Sequence, residues 1–347
     1  MEGSPLNRIA RSVLLALVVA LSCAIAAPLA RGQNLPDEIV QSGSPDAGPI
    51  EQFLNNTKID NQPLLDALAK PELAARARKQ IGEPLQRSSA RPSASFRRTY
   101  SRLILPKVGP LAKDPSDDVA VNALRLCGLL GTKEALDVAV TALDDPRESV
   151  RIAAASAIAT GLASGQRPDA AFSERQATDI LDAVNARLSK EKAPLVFEAL
   201  ILSLDFSARI PDRNLPGVRS RAMDLLLGRA SELAGKLSGP EFDQLFGNIA
   251  KGISDALKQD EKFSAAQTLS ASKAAADIVA RIVRRVEAGE LAEAQRTELA
   301  LVAEQAEFIV KLNGGKSYGL AALLRAPDDA KFKAKAAELI NDAKKNP

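Results

Sequence analysis

Histidine and tryptophan are absent from the chain, cysteine occurs twice among its 347 residues, and aromatic residues make up only 3%. Without imidazole there is no ordinary general base near neutral pH, no His-containing nucleophilic triad and no imidazole zinc site. A formal charge of +3, from 46 basic and 43 acidic side chains, is too small to mark a nucleic-acid binder. The hydrophobic fraction of 46% comes from Ala, Leu, Val and Ile. No segment alternates β-branched or aromatic residues with polar ones, as a half-buried strand would. The length allows two domains or one elongated one.

What is present begins with an apolar run. Residues 12–30 carry no charge, follow Arg8 and Arg11, and are interrupted by Pro28. A basic start, an apolar middle and a small-residue exit read as a secretory signal peptide of residues 1–32. Small-x-small cleavage positions follow Ala26 and Gly32, and the polar, Pro-rich stretch from Gln33 favours the second. A spanning helix needs about 20 apolar residues; this run is shorter, so no stable membrane span is expected after cleavage, the alternative being an uncleaved anchor. Cleavage removes three arginines and one glutamate, lowers the charge from +3 to +1, and leaves Cys127 as the single cysteine. Such an exported chain has no internal disulfide and is held by packing alone. The expected location is periplasmic or extracellular, at the cell envelope.

Residues 33–50, rich in Pro, Gly, Ser, Asp and Gln, are expected to form a flexible leader. Beyond them apolar residues recur with the 3.6-residue period, broken at 86–95, 163–169, 209–217 and 313–316, which predicts an all-α chain. Asp114-Pro115-Ser116-Asp117-Asp118-Val119 returns 31 residues later as Asp145-Pro146-Arg147-Glu148-Ser149-Val150. An Asp that caps free N–H groups and a Pro at the first helical position predict a helix start at each. Val119, Ala123, Leu126, Cys127 and Leu130 then align with Val150, Ala154, Ala157, Ile158 and Gly161, one face of one helix in both copies. An amphipathic helix with Leu136, Ala139, Val140 and Leu143 precedes the second copy. One such hairpin cannot cover its own apolar faces, whereas stacked hairpins can.

Asp145-Pro146, Val150-Arg151 and the run Ala153-Ala154-Ala155 resemble the turn and second helix of a HEAT repeat, most closely over residues 132–162. The preceding unit resembles it too, with Ala120 in place of the usual Arg and with Pro106 and Pro110 in its first helix. The resemblance implies a HEAT-like α-solenoid of antiparallel helix pairs over residues 51–208, clearest at 103–162. Residues 209–347 are expected to form a C-terminal helical region with a long antiparallel hairpin over 263–313. Ile278, Val279, Ile282, Val283 and Val286 on one arm face Leu299, Val302, Ala303, Ala306, Ile309 and Val310 on the other. Two shorter helices, near 318–325 and 328–344, close the chain.

Carboxylate pairs at Asp117-Asp118, Asp144-Asp145 and Asp328-Asp329, with Glu148 nearby, are explained by capping at helix starts, and no further ligand pattern converges on them. Cys127 occupies the position matched by Ile158 and reads as a small apolar core residue. Residues 87–107 hold Arg87, Arg91, Arg97, Arg98, Arg102 and Lys107 with Phe96 and Tyr100, and no acid. That composition reads as a basic linker leading into a helix, or as a surface for an anionic partner. No catalytic residue, cofactor or metal is expected. The reading is a monomeric, exported, non-catalytic scaffold for a protein partner, with Arg97, Arg98, Arg102, Arg125, Arg147, Glu148 and Arg151 as its candidate interaction surface. The alternatives are an envelope-associated protein docking on an anionic surface through 87–107, and an accessory subunit of an enzyme or an enzyme using carboxylates alone.

Overall fold

The structure, a computed structural model, describes residues 34–259, 262–289 and 291–345. Residues 1–32, read above as a signal peptide, and the two expected cleavage positions lie outside the described residues, and the described helices belong to one compact unit starting at Leu35. Sixteen α-helices are described: α1 (Asp37–Gln41), α2 (Ala47–Asn56), α3 (Leu64–Leu68), α4 (Pro71–Gln86), α5 (Ala94–Leu111), α6 (Asp117–Leu130), α7 (Lys133–Ala142), α8 (Glu148–Ala163), α9 (Glu174–Leu188), α10 (Pro194–Ser207), α11 (Val218–Lys236), α12 (Asp243–Leu257), α13 (Ala265–Glu287), α14 (Glu293–Leu312), α15 (Leu320–Arg325) and α16 (Asp329–Lys345). The only strands among the described residues are a two-residue antiparallel pair, Lys58–Ile59 with Gln62–Pro63. Asp60 and Asn61 both take positive φ between them, the geometry of a tight hairpin turn, which the helical periodicity did not foretell.

From α4 to α14, each helix packs on the one two places along. In one row α4 meets α6, then α6 meets α8, α8 meets α10, α10 meets α12 and α12 meets α14. In the other, α5 meets α7, followed by α9, α11, α13 and α16 in turn. Short connections join the rows into antiparallel hairpins, so the chain is an all-α, HEAT-like solenoid. The packing continues through residue 209: α10 contacts both α11 and α12, and the long hairpin of α13 and α14 extends the same two rows.

Every residue of the two aligned faces, from Val119 to Leu130 and from Val150 to Gly161, is buried. Helix α6 is covered on two sides: Ala120 and Leu124 belong to one apolar cluster, and Ala123, Leu126, Cys127 and Leu130 to another. Small residues let α6 and α8 approach until a Cβ at Gly128 would lie 2.8 Å from the Cα of Ala157. Gly131, with φ +59°, ends α6 in the left-handed conformation that glycine adopts without steric cost. Burial pushes the Cys127 thiol up to about 12, so it carries no thiolate at neutral pH.

Two expectations require correction. The described part of the expected leader 33–50, residues 34–50, is not loose, since it includes α1 and the start of α2, and Leu35, Val40 and Ile50 are buried. The first hairpin of a stack exposes an apolar face that a neighbour must cover, and α1 and α2 cover it by packing on α5. Nor do Asp114-Pro115 and Asp145-Pro146 begin helices. Asp114 accepts the Ser116 N–H at 2.8 Å and Asp145 the Arg147 N–H at 2.9 Å, local turns that leave each Pro outside a helix starting two residues later.

Candidate functional site

Helix α5 starts at Ser93, whose hydroxyl accepts the Phe96 N–H at 3.0 Å. Its inner face is apolar and aromatic: Phe96 and Tyr100 are fully buried, stacked with ring centres 5.3 Å apart, and the Tyr100 hydroxyl donates to the Ile81 carbonyl at 2.7 Å. These rings face the core, which leaves the basic segment without an aromatic platform for bases. The outer face borders a groove of about 860 Å³, lined by residues 43–45, by Ser95, Arg98, Thr99, Ser101, Arg102, Leu105 and Pro106 of α5, and by Glu134 of α7.

The six cations of 87–107 separate into different roles. Arg87 is bound to Glu83 at 2.7 Å and to Asp37 at 3.0 Å, and Lys107 to Asp66 at 3.2 Å. Arg97, placed on the candidate surface by its neighbours in sequence, is instead buried, with 4% of its area exposed. Its guanidinium donates to the Leu129 and Leu130 carbonyls at 2.6 and 3.3 Å, satisfying the C-terminus of α6. Desolvation, assisted by repulsion from Arg167, lowers its pKa to about 10. Arg91, Arg98 and Arg102 are exposed and make no ion pair among the described residues. The cations that are both exposed and unpaired among the described residues are therefore half of those the composition suggests.

Arg147 and Arg151 also turn inward, to the turns between repeats. Arg147 holds Asp145 with two bonds of 2.9 and 3.0 Å and reaches the preceding turn at the Asp114 carbonyl (2.8 Å) and Asp117 (3.1 Å). Arg151 donates to Glu191 at 3.0 and 3.3 Å, and Arg187 joins Glu191 (2.7 Å) to Asp144 (3.0 Å). Both arginines are half-buried, whereas Arg125 and Glu148 are exposed. Arg98 and Arg102 thus share the groove, while Arg97, Arg147 and Arg151 join repeats together.

Glu191 was not apparent from the sequence, yet it is the counterpart of Asp114 and Asp145. Each stands two residues before the N-cap residue of a helix of the same row and accepts that residue's N–H, here from Ala193 at 3.0 Å. Glutamate replaces aspartate, proline moves to the first helical position at Pro194, and the spacing stretches to 46 residues, which concealed the third repeat. Burial opposes ionisation of Glu191. The Ala193 N–H, Arg151, Arg187 and the Lys192 N–H outweigh it and bring its pKa down to about 2.

A carboxylate whose pKa falls on folding stabilises the native state above its unfolded pKa and loses that contribution as pH drops through the folded one. For Glu191 the window runs from about 4.5, the ordinary value, down to about 2. Glu191→Gln is expected to lower stability by roughly 2 kcal/mol at pH 7, with the difference from wild type shrinking in urea titrations taken at pH 4 and pH 2.5. A difference independent of pH would refute the assignment.

Comparison with known families places these turns in context. A family model of HEAT repeats matches residues 105–205, from within α5 to the end of α10, which contains all three acidic turns. Over that stretch the chain is similar to HEAT repeats. No curated protein matches the chain. Among the described residues no group of three or more Cys, Asp and Glu side chains is arranged to hold a metal ion, and no helix is long and apolar enough to cross a membrane.

Proposed function

We propose that the protein is an exported, non-catalytic helical-repeat scaffold that binds another protein on its stacked hairpins. The observation that carries this reading is the unbroken pairing of every second helix from α4 to α14, which generates extended surfaces by repetition. HEAT repeats commonly serve as protein-interaction scaffolds, and the stretch 105–205 is similar to them. The carboxylate clusters are engaged in building the fold: Asp114 and Asp145 shape turns, Asp328 caps α16 by accepting the Lys331 N–H at 3.1 Å, and Asp329 pairs with Arg296 at 2.7 Å. Export rests on the basic, apolar and small-residue order of residues 1–32.

The test is capture from envelope fractions with the full chain carrying a C-terminal tag, against an unrelated exported control. The expected result is a partner enriched over that control, on a chain whose intact mass begins at Ala27 or Gln33. A chain recovered in the cytoplasm from Met1, or no partner above the control, would refute the proposal.

A further inference from the structure

Arg98 and Arg102 stand one helical turn apart on α5, both exposed and both facing the same groove. No carboxylate of the described chain compensates them: Arg98 has a single long contact of 3.4 Å to the Ser95 hydroxyl, and Arg102 makes no hydrogen bond or ion pair. Their neighbours behave differently, since Arg87 and Lys107 are salt-bridged and Arg97 is buried on carbonyls. The one acid in the groove wall, Glu134, makes no ion pair with either of them. Two guanidinium groups thus line one groove with no carboxylate of the described residues on their donors.

The lining outside α5 is anchored through the residues that precede it. The segment leading into residues 43–45 is fastened to the start of α5, since the Ser93 N–H donates to the Val40 carbonyl at 3.0 Å and the Ser93 hydroxyl to the Ser42 carbonyl, and the Ser44 N–H donates back to the Ser42 hydroxyl at 3.1 Å. A cleft of about 860 Å³ is of the size that takes a short ligand segment. One turn beyond Arg102 the lining becomes apolar at Leu105 and Pro106.

We propose that this groove binds an extended acidic segment of a partner protein, with two carboxylates two residues apart on Arg98 and Arg102 and an apolar side chain beyond them against Leu105 and Pro106. The spacing supports an extended segment: side chains four apart on a helix lie about 6 Å from one another, and alternate side chains of an extended chain repeat every ~6.6 Å on one side. Charge complementarity selects an acidic occupant. Concavity selects a peptide over a membrane surface, which is flat and is normally bound by clusters of 4–8 basic residues. The proposal rests on the scaffold reading and assigns the partner's contact chemistry.

Fluorescence polarisation with the full chain tests it, using a labelled octapeptide with aspartates at alternate positions followed by leucine, and an isomer with the aspartates contiguous. The alternating peptide is expected to bind more tightly than the isomer. Arg98→Ser and Arg102→Ser are each expected to weaken it about tenfold, and Arg175→Ser, an exposed arginine outside the groove, to leave it unchanged. Neither groove arginine bonds to a carbonyl or carboxylate of the chain, so far-UV circular dichroism and the unfolding midpoint should match wild type. Absence of binding, equal affinity for the isomer, equal weakening by Arg175→Ser, or capture on phosphatidylglycerol vesicles that the peptide does not compete would each overturn the proposal. A partner still captured from envelope fractions when the peptide fails would separate loss of this groove from loss of the scaffold reading.

Discussion

Gly128→Val is expected to lower the stability of the chain by about 3 kcal/mol, the upper end of the cost of overpacking a well-filled core, read as a fall in the urea midpoint at unchanged slope. A Cβ at Gly128 would sit 2.8 Å from both the Cα and the carbonyl oxygen of Ala157. Those are backbone atoms of α8, which no rotamer change can withdraw, so α6 and α8 must move apart. Neither helix is free to move, since α6 is clamped between α4 and α8, and α8 between α6 and α10. Separation opens voids along both interfaces, and close-packed interiors do not absorb such shifts locally. Gly228→Ala supplies the opposite case: that glycine lies within α11, and a Cβ there meets nothing within 4 Å. It should stabilise by up to about 1 kcal/mol through helix propensity alone. A Gly128→Val midpoint equal to wild type would refute the close approach of the two helices.

Arg281→Ala should be more damaging still, at roughly 4 kcal/mol, the range for breaking a buried ion pair. Arg281 is fully buried in α13, with Nη1 2.7 Å from Asp243, itself 1% exposed. Its Nε and Nη2 donate to the Leu237 and Gly239 carbonyls, each at 2.7 Å, and its guanidinium lies 4.3 Å from the centre of the Phe246 ring. One side chain therefore ties α13 to the connection between α11 and α12. Truncation leaves Asp243 with Arg285 at 3.5 Å, and strands two carbonyls that water reaches only if the structure opens. The double change Arg281→Met with Asp243→Leu removes the uncompensated charge and should recover part of the loss. A single variant that loses less than 1 kcal/mol, or a double variant worse than the sum of its parts, would contradict this account.

The legible parts of the fold are those written in local periodicity. The aligned positions of α6 and α8 share one spacing and all prove buried, and the long hairpin predicted over 263–313 is seen as α13 and α14. Local composition was a poorer guide where one contact outweighed many residues. The Pro- and Ser-rich stretch before residue 50 is ordered by three apolar side chains, Leu35, Val40 and Ile50, at the open end of the stack. Among the candidate surface residues, Arg98, Arg102, Arg125 and Glu148 are exposed, but Arg97 differs from Arg98 by one position on α5 and is turned by about 100° into the core.

By itself the sequence determined the helical class, the repeat and the lack of imidazole chemistry, because period, turn residues and composition act over a few residues at a time. Only the tertiary structure decided which cations are free, that Glu191 closes a third turn, and that α5 borders a groove. Those outcomes depend on residues 30 to 50 positions apart meeting across neighbouring hairpins, where desolvation and pairing, not the identity of a side chain, decide whether a charge faces water or holds the stack together.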